Sequence, residues 1–133
     1  MPTAQTQRQL ASYKRRYRAL ARQLAEVDYI ASGSVANRFR RCGRATCPCA
    51  SDPSRLHGPY WQFTAKVDGR TVNKRLSEPE ARLYEEWISN DRTVRALLAE
   101  MREVAAEAQA LILEDANGAA APQTHQAAPR RAG

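Results

Sequence analysis

The sequence predicts an α+β fold in which two long helices flank a small antiparallel β-hairpin or three-stranded sheet. Three observations lead there. Two segments, 5–31 and 79–114, place apolar residues at alternating spacings of three and four. Between them the period changes to two around Asp68-Gly69. All three cysteines of the chain, and one of its two histidines, fall between positions 42 and 57.

The first helix is expected over 5–31. Leu10, Tyr13, Tyr17, Leu20, Leu24, Val27 and Ala31 form a heptad-type stripe. Thr6 is its candidate N-cap, and Ser32-Gly33-Ser34 its exit, with Gly33 able to take a left-handed conformation. A strand over 34–42 follows, with Val35 and Phe39 as its apolar members. Residues 60–77 then read as a hairpin. Asp68-Gly69 signals a type I′ turn, which puts Ala65 opposite Val72 and Trp61 opposite Leu76, with Trp61, Phe63, Ala65 and Val67 on one face.

Ser77-Glu78-Pro79-Glu80 opens the second helix with a capping serine, proline in the first turn and acids at the positive end of the helix dipole. Its seam, over 79–114, runs through Trp87, Asp91, Val94, Leu98, Met101, Ala105, Ala108 and Ile112, and Asn117-Gly118 is the expected exit. At 1.5 Å per residue it would span roughly 54 Å, more than a small globular core needs. Two such seams pack most simply on each other, as an antiparallel coiled-coil-like pair. The first helix is basic (Arg8, Lys14, Arg15, Arg16, Arg18, Arg22) and the second acidic (Glu85, Glu86, Glu100, Glu103, Glu107), so flanking charges would set the register. Two ordinary amphipathic helices over a small sheet are the plainer alternative. The expected organisation is a single domain over 1–115. The Ala/Pro/Gln-rich stretch 116–133, with His125 and Arg130-Arg131, reads as a disordered tail.

Charge is segregated. The net charge is +7. Residues 1–77 hold fifteen Lys/Arg against four Asp/Glu, and residues 78–115 hold four against ten. A basic segment of this kind attracts polyanions. Aromatic residues are 7% of the chain and mean hydropathy is −0.64. No apolar run approaches membrane-spanning length, and "MPTAQTQRQL" lacks the apolar stretch of a secretory signal. The expected location is the cytoplasm, where thiols stay reduced, and an odd cysteine count speaks against a closed disulfide framework.

The cysteine-rich stretch has the spacing Cys42-x4-Cys47-x-Cys49-x7-His57. Three thiolates and an imidazole make up a complete tetrahedral zinc set, closed and therefore structural, in a zinc-knuckle-like loop. Gly43, Pro48, Pro53 and Gly58 supply the turns that convergence on one ion requires. Arg41 and Arg44 would offset the thiolate charge. Cys47-Pro48-Cys49 is the tight point, since two ligands one residue apart limit the geometry. Three reduced cysteines beside an ordinarily hydrogen-bonded histidine is the alternative. Redox chemistry is the third reading, without the Cys-x-x-Cys and βαβ context that normally marks it.

These residues resemble a bacterial family of domains of unknown function with a C-G-(K/R)-x-x-C-x-C-A … H-G-P-Y core, whose members often occur near transposases and other mobile elements. Cys42, Gly43, Cys47, Cys49, Ala50, His57, Gly58, Pro59 and Tyr60 fall on that pattern, and the similarity covers residues 33 to about 112. The resemblance brings no activity with it, only a contextual pointer toward DNA.

Two functional expectations follow. One is a zinc-stabilised nucleic-acid-binding accessory protein, with Arg38, Arg40, Arg41, Arg44, Lys66 and Lys74 meeting phosphates and Tyr60 and Trp61 available to stack on bases. Arg75 adds to the charge of the hairpin. The other is an interaction or homodimerisation module built on the helices, with the metal loop as scaffold and Asp91 setting register. No enzyme is expected. The chain has no phosphate-binding glycine loop, no carboxylate pair with a supporting histidine and no open metal position.

Overall fold

The first helix, α1 (Ala4–Ala25), starts two residues earlier than the expected Thr6 cap. Thr3 takes that role: its Oγ1 accepts from the Thr6 N–H at 3.0 Å and its carbonyl accepts from Gln7 at 2.9 Å. These features come from a computed structural model, which describes residues 2–119. Helix α1 ends at Ala25, six residues short of the expected Ala31. Beyond it lie Val27, Asp28, Tyr29 and Ile30, all weak helix formers. The Asp28 carboxylate accepts from the Tyr29 N–H at 2.9 Å, which competes with helix continuation.

Three strands follow: β1 (Ser34–Arg40), β2 (His57–Val67) and β3 (Arg70–Leu76). They form one antiparallel sheet in the order β1-β2-β3. The hairpin between β2 and β3 has the expected register, with Ala65 opposite Val72 and Trp61 opposite Leu76. Asp68 and Gly69 both take positive φ (52° and 79°), as a type I′ turn demands. Strand β1 ends at Arg40, and Phe39 is 57% exposed, so only Val35 serves as an apolar anchor of that strand. The second helix, α2, runs Glu78–Ala119, through the expected exit at Asn117-Gly118. Alanines on both sides of that pair favour helix and carry it on. Residues 116–119 of the stretch read as a disordered tail are thus helical, and 120–133, with His125 and Arg130-Arg131, lie outside the described residues. The α+β class is as expected: two helices flank, in sequence, a three-stranded antiparallel sheet that contains the cysteine–histidine cluster.

The start of α2 is fixed by a reciprocal cap. Ser77 Oγ accepts from the Glu80 N–H at 3.2 Å while Glu80 Oε1 accepts from the Ser77 N–H at 2.8 Å. The Ser77 N–H, with the Ser77 hydroxyl and a smaller contribution from Lys74, holds the Glu80 carboxyl below its ordinary value against opposing desolvation.

The chain divides into two compact units. One contains α1 and the part of α2 from Leu97 onward; the other is Glu26–Ala96. In the sheet-bearing unit, Leu76, Ala81 and Ile88 are buried. Phe63 stacks on Tyr84 at 4.2 Å between ring centroids, and Tyr84 meets Trp87 edge-on at 5.0 Å. The segment after α1 is tied to α2 by three bonds. Asn90 Nδ2 donates to the Tyr29 carbonyl, the Ala31 N–H to the Trp87 carbonyl, and Arg95 to Ser32 Oγ. Asp91, the polar residue of the expected seam, pairs with Arg95 at 2.9 Å.

In the helical unit, Leu20, Leu97 and Val104 are the buried side chains, and Arg16 pairs with Glu107 at 3.8 Å. The expected seam positions of α1 within the helix are all buried or half-buried. On α2 the deepest line is displaced by one residue, to Leu97 and Val104 rather than Leu98 and Ala105. The buried pair Ala81 and Ile88, seven apart, is out of phase with Leu97 and Val104, also seven apart. The stripe thus shifts phase between Ile88 and Leu97, close to the boundary of the two units. Among the described residues no helix is long and apolar enough to cross a membrane.

This placement predicts that Leu97→Ala costs about 2–5 kcal/mol, the range for a buried leucine, and that half-buried Leu98→Ala costs clearly less. Urea denaturation of the two variants measures the difference. Equal losses, or a larger loss at Leu98, would restore the seam read from the sequence.

Candidate metal centre and the open face of the sheet

The segment joining β1 to β2 has little apolar material of its own. Cys42 lies two residues beyond β1. Cys47 precedes a 3-10 turn, Pro48–Ala50, whose proline sits in the first turn. That turn folds the chain tightly enough for Cys47 and Cys49 to face the same point, which resolves the constraint of two ligands one residue apart. Asp52 then caps a second 3-10 turn, Pro53–Arg55, by accepting from the Ser54 N–H and hydroxyl at 2.9 and 2.7 Å. The chain returns at His57.

A β-bulge sets the position of His57. Arg38 pairs with Tyr60, but Arg40 pairs with His57, so β2 carries an extra residue at Gly58-Pro59 opposite Phe39. Proline lacks the N–H a regular ladder would use, and a bulge accommodates that. Gly58 has φ 132°, and a Cβ on it would lie 2.7 Å from the Arg38 carbonyl oxygen, so no side chain fits. "H-G-P-Y" is therefore a bulge that changes the parity of β2 and brings its first residue to the cysteines.

The four side chains converge. The ligand atoms of Cys42, Cys47, Cys49 and His57 all lie within 4.8 Å of one another. Cys42 Sγ and Cys49 Sγ are 3.6 Å apart, and Cys47 Sγ and His57 Nε2 are 3.2 Å apart. Tetrahedral zinc, with its usual bond lengths, separates two sulfurs by about 3.8 Å and sulfur from nitrogen by about 3.6 Å. The donor set is thus compatible with metal coordination: the two close pairs differ from these separations by a few tenths of an ångström, and the widest pair closes by about 1 Å. The sulfurs are unequal. The Arg44 backbone N–H, with the neighbouring thiols and His57, brings the Cys42 thiol down to about 7 against opposing desolvation. Cys49 is fully buried and also accepts from the Cys42 N–H at 3.4 Å. That bond acts to lower its pKa but is outweighed by burial and by the adjacent Cys47 and Cys42 thiols, which push it up.

The sheet has two unlike faces. Trp61 and Phe63 share the side packed with the first turns of α2, where Arg82 sits 5.2 Å from the Trp61 ring centre. Lys74, paired with Phe63, lies on that side, 5.7 Å from the Tyr84 ring centre. The other face carries Arg38, Gln62, Lys66, Asn73 and Arg75, none of which takes part in the apolar packing. Here the Arg75 guanidinium lies 3.7 Å from the Tyr60 ring centre, and Arg40, Tyr60, Trp61, Gln62, Asn73 and Arg75 line a depression of about 200 Å³.

Of the six basic residues singled out from sequence, Arg38, Arg40 and Lys66 belong to this open face, and Arg41 and Arg44 are exposed in the cysteine loop beside it. Lys74 does not join them, because its parity turns it to the helix. Trp61 shares that side, with Arg82 near its ring, and also lines the depression. Arg75 joins the face instead, and strand alternation from the Asp68-Gly69 turn was the signal that could have selected it over Lys74. Among the described residues, none of Arg38, Arg40, Arg41, Arg44, Lys66 and Arg75 forms an ion pair.

Residues 10–85 match the family described as "Domain of unknown function (DUF6788)", which covers more than half of the chain. The chain belongs to this family. The DUF6788 match includes β1, the cysteine loop, the hairpin and the beginning of α2, so the whole candidate metal centre lies inside the family domain. No curated protein and no solved structure matches the chain.

A metal that closes this loop should be measurable. The full chain offered equimolar zinc is expected to hold one ion per chain by native mass spectrometry, and His57→Ala to hold it more weakly. Chelation should raise amide exchange first in 41–59, because binding free energy there is folding free energy. A chain that stays metal-free under these conditions would mean that the four side chains are only neighbours.

Proposed function

We propose that this DUF6788 domain is a zinc-stabilised nucleic-acid-binding protein without catalytic activity, acting inside the cell and associated with mobile genetic elements. The observation that carries the reading is the open sheet face, where Arg38, Arg40, Lys66 and Arg75 gather with no acidic partner among the described residues. Unpaired surface cations on a fixed scaffold suit a polyanion, since each phosphate they meet releases a counterion. Zinc is the metal favoured by three thiolates and an imidazole. Its role is structural, because the protein supplies all four ligands and leaves no position for substrate. Arg41 and Arg44 lie within the loop that the ion would hold, so metal binding also fixes part of the contact surface. The mobile-element context rests on the family resemblance alone.

A second reading has its own observation. In the helical unit an apolar groove of about 500 Å³ is lined by Leu10, Tyr13, Tyr17, Val104, Ala108 and Ile112, and Ile112 and Leu113 are exposed. A helical partner or a second copy of the chain would cover it, which makes the protein an interaction module.

Gel-shift titrations separate the two. Nucleic-acid binding should weaken steeply with salt, log K falling by about 0.9 per neutralised phosphate on duplex DNA. Arg38→Glu with Arg40→Glu should reduce affinity and flatten that slope with the circular dichroism spectrum unchanged. Absence of any shift at micromolar protein and low salt, together with concentration-dependent self-association, would favour the interaction module.

A further inference from the structure

We infer that the open face of the sheet reads base edges in the major groove of duplex DNA, so that binding is sequence-specific as well as electrostatic. The inference rests on the nucleic-acid reading above and extends it. From composition alone the binding would be sequence-tolerant, because no recognition helix is evident. The sheet changes this by setting Arg38, Arg40, Gln62, Lys66, Asn73 and Arg75 on one surface. Arginine pairs with the O6 and N7 of guanine, and carboxamides with the N6 and N7 of adenine, which makes these side chains the usual readers of major-groove edges. No carboxylate stands among them.

Two of the readers are held in place. Thr64 Oγ1 donates to Asn73 Oδ1 at 2.9 Å, which orients the carboxamide and leaves its NH₂ free as a donor. Arg75 is braced on the Tyr60 ring. With Arg40 and Gln62 they border the same depression, so their donors converge on a small area rather than spreading along a backbone. Gln62, Lys66, Asn73 and Arg75 all sit on the β2–β3 hairpin, and a two-stranded ribbon is an element that the major groove, about 12 Å wide, admits.

Other nucleic acids fit less well. Single-strand binding needs free aromatic platforms. On this face Tyr60 has Arg75 over its ring, and the Trp61 and Phe63 rings meet Arg82 and Tyr84 of α2. The major groove of duplex RNA is too deep and narrow for side chains to read.

The test is selection of the zinc-supplied full chain against a random duplex DNA pool, followed by titration of the enriched sequence and a scrambled one. A defined sequence should emerge. Gln62→Ala and Arg75→Ala should each relax preference at one or two base pairs, by roughly 5- to 150-fold. Arg41→Ala, in the loop, should weaken both duplexes equally. A pool that remains random while duplex DNA is bound with a steep salt dependence would overturn the inference and leave the nucleic-acid reading standing. Tighter binding to single strands or to duplex RNA would also overturn it. Failure to bind any nucleic acid would remove both.

Discussion

The sixteen residues between β1 and β2 have to be held in one shape with almost no core of their own. Cys49 is the single buried side chain among them, and its sulfur lies against the Cys42 sulfur and N–H. Hydrophobic burial therefore contributes little here, and the convergence of Cys42, Cys47, Cys49 and His57 is what closes the segment. The closure joins the end of β1 to the start of β2, so it also anchors that end of the strand pair, opposite the Asp68-Gly69 turn. A small domain with a limited apolar interior gains most from a metal at such a place.

The bulge at Gly58-Pro59 links this closure to the surface. One extra residue lets His57 reach the thiols, while Arg38 and Tyr60 keep the register of the sheet beyond it. Past the bulge, strict alternation sorts the side chains. Trp61, Phe63 and Leu76 go to the packing side and Gln62, Asn73 and Arg75 to the open side. The apolar core of this unit and the proposed contact face are two sides of one three-stranded sheet, and neither could be altered in register without exchanging them.

Much of this was legible in the sequence because it rests on short-range rules. The Asp68-Gly69 turn fixed the hairpin register, Ser77 and Glu80 marked the helix cap, and the ligand spacing named the cluster. The misreadings came where tertiary contacts override local pattern. Val27 and Ala31 continue the heptad of α1, yet the backbone there leaves the helix and bonds to Trp87 and Asn90, partners some sixty positions away. A single seam was drawn through α2, whereas its buried line changes phase between Ile88 and Leu97 because the two parts of the helix serve different cores. Lys74 is exposed as expected, but its parity from the turn sets it on the other side of the sheet from Arg75.

The account turns on the ligand set, and X-ray absorption at the zinc edge of the metal-loaded full chain tests it most directly. Three sulfurs at about 2.3 Å and one nitrogen at about 2.0–2.1 Å are expected for Cys42, Cys47, Cys49 and His57 around one ion. A shell made only of oxygen and nitrogen would contradict it, because the loop would then owe its shape to something other than the three thiolates.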